Sequence, residues 1–149
     1  MQIKIEAKNI DKIQKELWKL QKRTKDLSSV MTDIAEHLYT ITDESFDNET
    51  APDGTPWEDL KPATWRYKKT DKILYEEGTL RGSLYIWSSD SEARIGVNAT
   101  SKGYPYPIVH QFGSKHVPAR PFLPIDSEGN MYKEVVNEIL NMLVEYLKN

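Results

Sequence analysis

The residues whose types and spacing could do chemistry are three histidines, a cluster of carboxylates and one aromatic–basic segment. His110 and His116 lie six apart across a glycine-containing stretch. A metal pair on a helix or strand wants steps of two, three or four, and no ordered carboxylate accompanies them, so no metal site is expected. His37 directly precedes Leu38 in a helical pattern and reads as a boundary or surface histidine. Asp43, Glu44, Asp47 and Glu49 have the look of paired carboxylates for acid–base work. They end an amphipathic pattern on its polar side, and a solvated helix face explains them better. No Gly-x-Ser-x-Gly elbow is present, and Gly78 and Gly82 lack the following Gly-Lys-Ser/Thr of a phosphate loop. The Trp57–Lys72 segment interleaves Trp57, Trp65, Arg66, Tyr67, Lys68 and Lys69. Aromatics stack on bases and cations hold phosphates, so its functional reading is a nucleic-acid-binding module. The plainer reading is a short helix with Trp65 docked on the core and a basic outer face.

The elements that must position these residues follow from composition. The chain has 149 residues, 38% apolar and 29% charged, with no cysteine. That length suits one domain spanning 1–149 with a core that needs no metal or disulfide staple. Absence of cysteine excludes thiol nucleophiles and sulfur-ligated zinc. No apolar run approaches the roughly 20 residues of a membrane span, and the first residues lack the apolar region of a signal peptide. A net charge of −3 argues against a bulk polyanion binder. All 15 glycines and prolines fall between Pro52 and Gly129, leaving both flanks free to be helical around a punctuated centre.

Ile3, Ile5 and Ala7 alternate with polar residues, the period of a half-buried strand. Asn9 is placed to cap a helix carrying Ile10, Ile13, Leu17 and Leu20. The pattern resumes with Leu27, Val30, Met31, Ile34, Leu38, Ile41 and Phe46. One helix over 10–48 would be about 58 Å long and would protrude from so small a domain, so a break is expected near Thr24-Lys25-Asp26, with Asp26 or Thr24 as cap. Pro62 begins a short helix through Lys69. Leu84–Trp87 and Ala93–Val97 read as strands joined by a Ser88–Ser91 turn, residues 98–107 as a loop, and Lys115–Ala119 as a further short strand. Asp126 or Ser127 caps the last helix, whose apolar face is Val135, Val136, Ile139, Leu140, Leu143, Tyr146 and Leu147. The fold class is α+β: a small antiparallel sheet packed with long N-terminal helices and a C-terminal helix.

Charge is segregated: net +5 over residues 1–25, −10 over 26–60, +4 over 61–72 and −2 thereafter. Either these are solvated faces, or a basic surface on one subunit meets an acidic surface on the next.

The centre carries a constellation: Pro52-Asp53-Gly54-Thr55-Pro56-Trp57, Gly78-Thr79-Leu80-Arg81 with Ser83-Leu84, then Val109-His110-Gln111-Phe112-Gly113 and Val117-Pro118-Ala119-Arg120-Pro121-Phe122-Leu123. As a set it resembles the phage virion-morphogenesis or tail-completion family of Mu-like contractile-tailed phages and their prophages, over roughly residues 26–147. Pro107 and Glu77 depart from the family pattern. The resemblance implies a non-enzymatic minor virion protein without cofactor, made in the host cytoplasm and acting late at the head-proximal end of the tail. It implies self-association into a ring, commonly sixfold. Tail tube, sheath or head–tail connector proteins are the implied partners.

Within that reading Gly113 allows a sharp turn after Phe112. Pro118 and Pro121 keep the chain extended on either side of Arg120. Phe122 and Leu123 are apolar anchors. Arg120 offers five donors in a planar fork, with a carboxylate or loop carbonyls as partner and His110 or Gln111 nearby. His110, Gln111 and Arg120 are expected to fix the fold of a loop in preference to contacting a partner. Trp57, in a loop rich in Pro and Asp, is the candidate for an exposed interface anchor, the other reading being a core plug.

Overall fold

A computed structural model describes residues 7–23, 26–68, 73–74, 79–100 and 106–148. Among them it holds six helices and one two-stranded antiparallel sheet, which is the α+β class. The strand read at Ile3 and Ile5 lies outside the described residues.

Helix α1 (Asp11–Arg23) buries Ile13 and Leu20, and α2 (Ser28–Asn48) buries Val30, Met31, Ile34 and Leu38 on the face their spacing implies. The break between them falls where length required it. Asp26 accepts the backbone N–H of Ser28 at 2.9 Å, one residue outside the helix cap. Hydrogen bonding from the Ser28 side chain first, and then from this backbone N–H, holds its carboxyl below its ordinary value. Along α2 the buried hydroxyls of Thr42 and Ser45 donate to the carbonyls one turn back, Leu38 and Ile41, so neither is left unsatisfied. Glu49 ends the helix in the left-handed conformation.

Helix α3 is Pro62–Tyr67 and α4 is Thr79–Gly82. Strands β1 (Leu84–Ser88) and β2 (Ala93–Val97) pair in the register Leu84↔Val97 through Ser88↔Ala93. Their hairpin lies against α2: Ile95 and Ala93 pack near the first half of that helix, while Leu84 and Val97 pack with Phe46 near its end. The opposite face presents Tyr85 and Trp87, both exposed, with the Arg94 guanidinium 4.4 Å from the Trp87 ring.

Helix α5 (Tyr106–Phe112) begins inside the stretch read as a loop. Pro107 sits in its first turn, where a missing N–H costs no intrahelical bond. Helix α6 (Lys133–Lys148) buries Val135, Val136, Ile139 and Leu143 against α1 and α2. It starts later than the capping residues suggested. Asp126 instead closes a tight turn, accepting the N–H groups of Glu128 and Asn130 at 2.9 and 3.0 Å beside an Ile125↔Met131 bridge.

Asn9 does not cap α1. Its side chain exchanges two hydrogen bonds with the backbone of Met131, at 2.9 and 2.7 Å. That ties the start of α1 to the start of α6. At the other end Arg23 donates to the carbonyl of Leu147, so the two helices run in the same direction. Helix α2 runs the opposite way, with Asp33 accepting from the Tyr146 hydroxyl and His37 bonded to Glu138 at 2.8 Å. No helix among the described residues is long and apolar enough to cross a membrane.

Candidate functional site

The block from His110 to Leu123 folds back on itself before it meets anything else. Helix α5 ends at Phe112, and Gly113 follows at φ +77°, its N–H donating to the Val109 carbonyl at 2.7 Å. Ser114 N–H then donates to Val117 carbonyl at 2.8 Å. This turn replaces the strand read at Lys115–Ala119. It occurs because positive φ at Gly113 reverses the chain at once, and Pro118 removes a ladder donor from the middle of the segment. Three residues after Val117 the backbone of Arg120 donates to the carbonyl of His110 at 2.6 Å, which closes the loop onto the helix.

Gln111 locks the outgoing chain. Its side-chain oxygen accepts the N–H groups of Phe122 and Leu123 at 3.0 and 2.9 Å, and its amide donates to the Ile125 carbonyl at 2.9 Å. The side chain is all but inaccessible, so these bonds are shielded from water. Phe122 has no exposed surface and packs with its ring centroid 5.3 Å from that of Phe46. Leu123 packs on the same cluster.

Arg120 is 5% exposed and uses its fork on carbonyls: Nε donates to Glu58 at 2.8 Å and Nη2 to Asp59 at 3.3 Å. Burial lowers its pKa, and the charges of Glu58 and Asp59 oppose that shift. Trp57 reciprocates, with its indole N–H donating to the Pro121 carbonyl at 2.7 Å. The 57–59 and 120–121 segments are thus stitched together in both directions.

Of the two readings of Trp57, burial selects the core one: it is 6% exposed and meets Phe46 edge-on, with centroids 5.7 Å apart. A large apolar ring with one donor finds both its needs inside, a cluster to pack on and a carbonyl to reach. That also removes Trp57 from any base-stacking surface. Trp65 is half-buried and donates to Asp59 at 3.0 Å, while Lys69 and Lys72 lie outside the described residues.

His110 has its Nδ1 buried without a hydrogen-bond partner and faces the edge of Tyr106 at 6.0 Å. Burial, and after it the charge of Arg120, pushes its pKa below the usual imidazole value. His116 is exposed, and no group of three or more metal-binding side chains occurs among the described residues. Phe112, Pro118 and Pro121 are half-buried in the walls of the turn.

The carboxylates at the end of α2 are not simply a solvated face. Asp43 and Asp47 each accept from Arg81 at 2.8 Å, and Glu49 accepts the backbone N–H of Ile73 at 3.3 Å. In the sequence Arg81 stands in the Gly78-Thr79-Leu80-Arg81 block, where its type alone implies no partner. Its partners are 34 and 38 positions away, a distance that no local spacing rule spans.

One cleft opens elsewhere, between the end of α2, the turn after it and the first turns of α6. It measures about 190 Å³ and is lined by Ile41, Glu44, Asn48, Val135 and Glu138 among others. On α1, Trp18 is the most exposed large apolar side chain described, at 60%. Its signal was present: it stands one residue after Leu17, off the stripe that α1 buries.

The comparisons with known proteins agree on one kinship. The model of the phage virion morphogenesis family matches residues 8–148. A curated relative, the "Mu-like prophage FluMu G protein 1" of Haemophilus influenzae, is 33% identical over 139 residues, covering 85% of this chain and 92% of the relative. No solved structure matches.

Proposed function

The chain belongs to the phage virion morphogenesis family, and from that premise we propose that it completes the tail of a phage or prophage at the end that joins the head. It acts as a structural subunit that assembles into a ring, not as a catalyst. The observation that carries this reading is the fate of the polar groups in the 110–123 block. Gln111 and Arg120 are engaged by the chain's own backbone, so the most distinctive motif builds a rigid body and does not present donors to a substrate. Of the exposed aromatic groups, Trp18 lies on α1, Tyr39 on α2, and Tyr85 and Trp87 on the outer face of the hairpin. Exposed aromatic anchors suit a subunit that meets neighbours.

Electron microscopy of particles made without this protein tests the role. Tails of uncontrolled length identify a terminator. Tails of normal length that fail to join heads identify a completion factor. Normal virions from the deletion overturn the proposal.

A further inference from the structure

We propose that the Trp18 face of α1 docks into the α2–α6 cleft of a second copy of this chain, a head-to-tail contact that rests on the ring reading above. Three observations meet here. The first is the anchor. Trp18 stands between Lys15 and Lys22, one turn away on either side, and Lys22 lies over the indole with Nζ 3.7 Å from its centroid. One ring face is thereby held and the rest stays open to solvent. Lys15 has no ion-pair partner among the described residues, so with Lys22 it gives this face a basic rim around the indole.

The second observation is the receptor. The cleft, at about 190 Å³, is smaller than the roughly 300–1,000 Å³ of ordinary small-molecule pockets and suits one large side chain. Its accessible lining is mostly polar: Glu44, Asn48 and Glu138 are exposed, Ile41 is half-buried and Val135 is buried beneath them. Glu44 has no cation partner among the described residues. Glu138 bonds His37 through one oxygen only. The carboxylates are therefore opposite in charge to the lysines around Trp18.

The third observation is that the two surfaces differ and belong to one chain. Trp18 does not line the cleft. A contact between unlike patches is heterologous, and repeating it closes a ring when the rotation allows. Lys15 and Lys22 then face Glu44 and Glu138 across every junction.

The test uses the full chain at low salt, with size-exclusion chromatography and light scattering. One variant, Trp18→Ala, lacks the anchor. The other, Glu44→Lys with Glu138→Lys, reverses the rim of the cleft. Wild type is expected to assemble, and each variant alone to associate at least about tenfold more weakly. Mixed together, the two variants share one intact junction and should stop at dimers. Circular dichroism of each variant checks that the fold is retained. Folded variants that assemble like wild type overturn this interface and leave ring assembly standing. A mixture that stays monomeric also overturns it. A Trp18→Ala chain that assembles normally yet no longer binds isolated tails assigns the face to another phage protein and overturns docking on a second copy. Wild type that is monomeric at its highest soluble concentration, and still so on isolated tails, overturns both readings together.

Discussion

The side chain of Gln111 holds the backbone of Phe122: its oxygen accepts the Phe122 N–H at 3.0 Å while the Phe122 ring sits fully buried against Phe46. The same oxygen accepts Leu123 N–H, so one amide satisfies two donors that the loop takes out of water. Removing it leaves both N–H groups without a partner. Each such orphan costs about 1–3 kcal/mol. Gln111→Ala is therefore expected to lower stability by about 3 kcal/mol or more in urea denaturation. Gln111→Glu keeps the acceptors but places a charge there and loses the bond to Ile125, and should also destabilise. A loss under about 1 kcal/mol for Gln111→Ala would show that water replaces the amide.

Arg81 joins the short helix α4 to the end of α2 through two carboxylates on one helical face, Asp43 and Asp47, four residues apart. Their bonds raise its pKa further above its ordinary value. Arg81 is mostly buried and Asp47 mostly exposed, so the Asp43 contact is the one less screened by solvent. Arg81→Ala is expected to cost about 1–2 kcal/mol. A double-mutant cycle with Asp43→Asn should give a larger coupling than one with Asp47→Asn. Equal couplings, or none, contradict this ranking.

The contrast between Leu17 and Arg81 explains how much of this molecule was legible in its sequence. Leu17, like Ile13 and Leu20, is placed by a repeat of three and four, a rule that acts within one helix. Helices α1, α2 and α6 were readable for that reason, and the two hairpin strands from their runs on either side of a serine-containing turn. Arg81, Asn9 and Asp126 act across the chain or in a local turn that competes with helix capping. Asn9 had the right type for a cap, but the Met131 backbone claimed both of its polar atoms. In β1 the run Leu84-Tyr85-Ile86-Trp87 is apolar throughout, so no alternation says which face is outward. In the candidate site, Gly113 and Arg120 could be read from backbone freedom and donor geometry. The burial of Trp57 could not, because its fate depends on Phe46 and on Pro121, which stands 64 positions away.

His110 should make stability depend on pH. Burial first, then the nearby Arg120 charge, lowers its pKa in the folded chain, and its buried Nδ1 has no acceptor waiting for a proton. Below its ordinary value of 6.5 the unfolded chain binds a proton that the folded chain refuses. Stability from this group is therefore complete above about 6.5 and declines as pH falls towards the folded value. Carboxylates titrate lower and add their own slope, so the comparison that matters is with His110→Gln. Urea midpoints measured between about pH 7.5 and 5 should fall more steeply for wild type than for this variant. Parallel curves would show that His110 titrates alike in both states.

Gly113 and Gly54 separate two reasons for a glycine. Both have positive φ, +77° and +90°. A side chain pays a conformational penalty at either position, about 1–2 kcal/mol. At Gly54 an added Cβ meets nothing within 4 Å, so that penalty is the whole cost. At Gly113 the Cβ would lie 2.9 Å from the Ala119 nitrogen and 3.0 Å from the Val117 oxygen. Those atoms are backbone, held by the Ser114–Val117 turn and by the bond from Arg120 to His110, so they cannot swing aside as a side-chain tip would. Gly113→Ala is expected to cost about 2–4 kcal/mol, clearly more than Gly54→Ala, by urea denaturation of the two variants side by side. If the two costs are equal, the return loop from Val117 to Ala119 yields more readily than its hydrogen bonds imply.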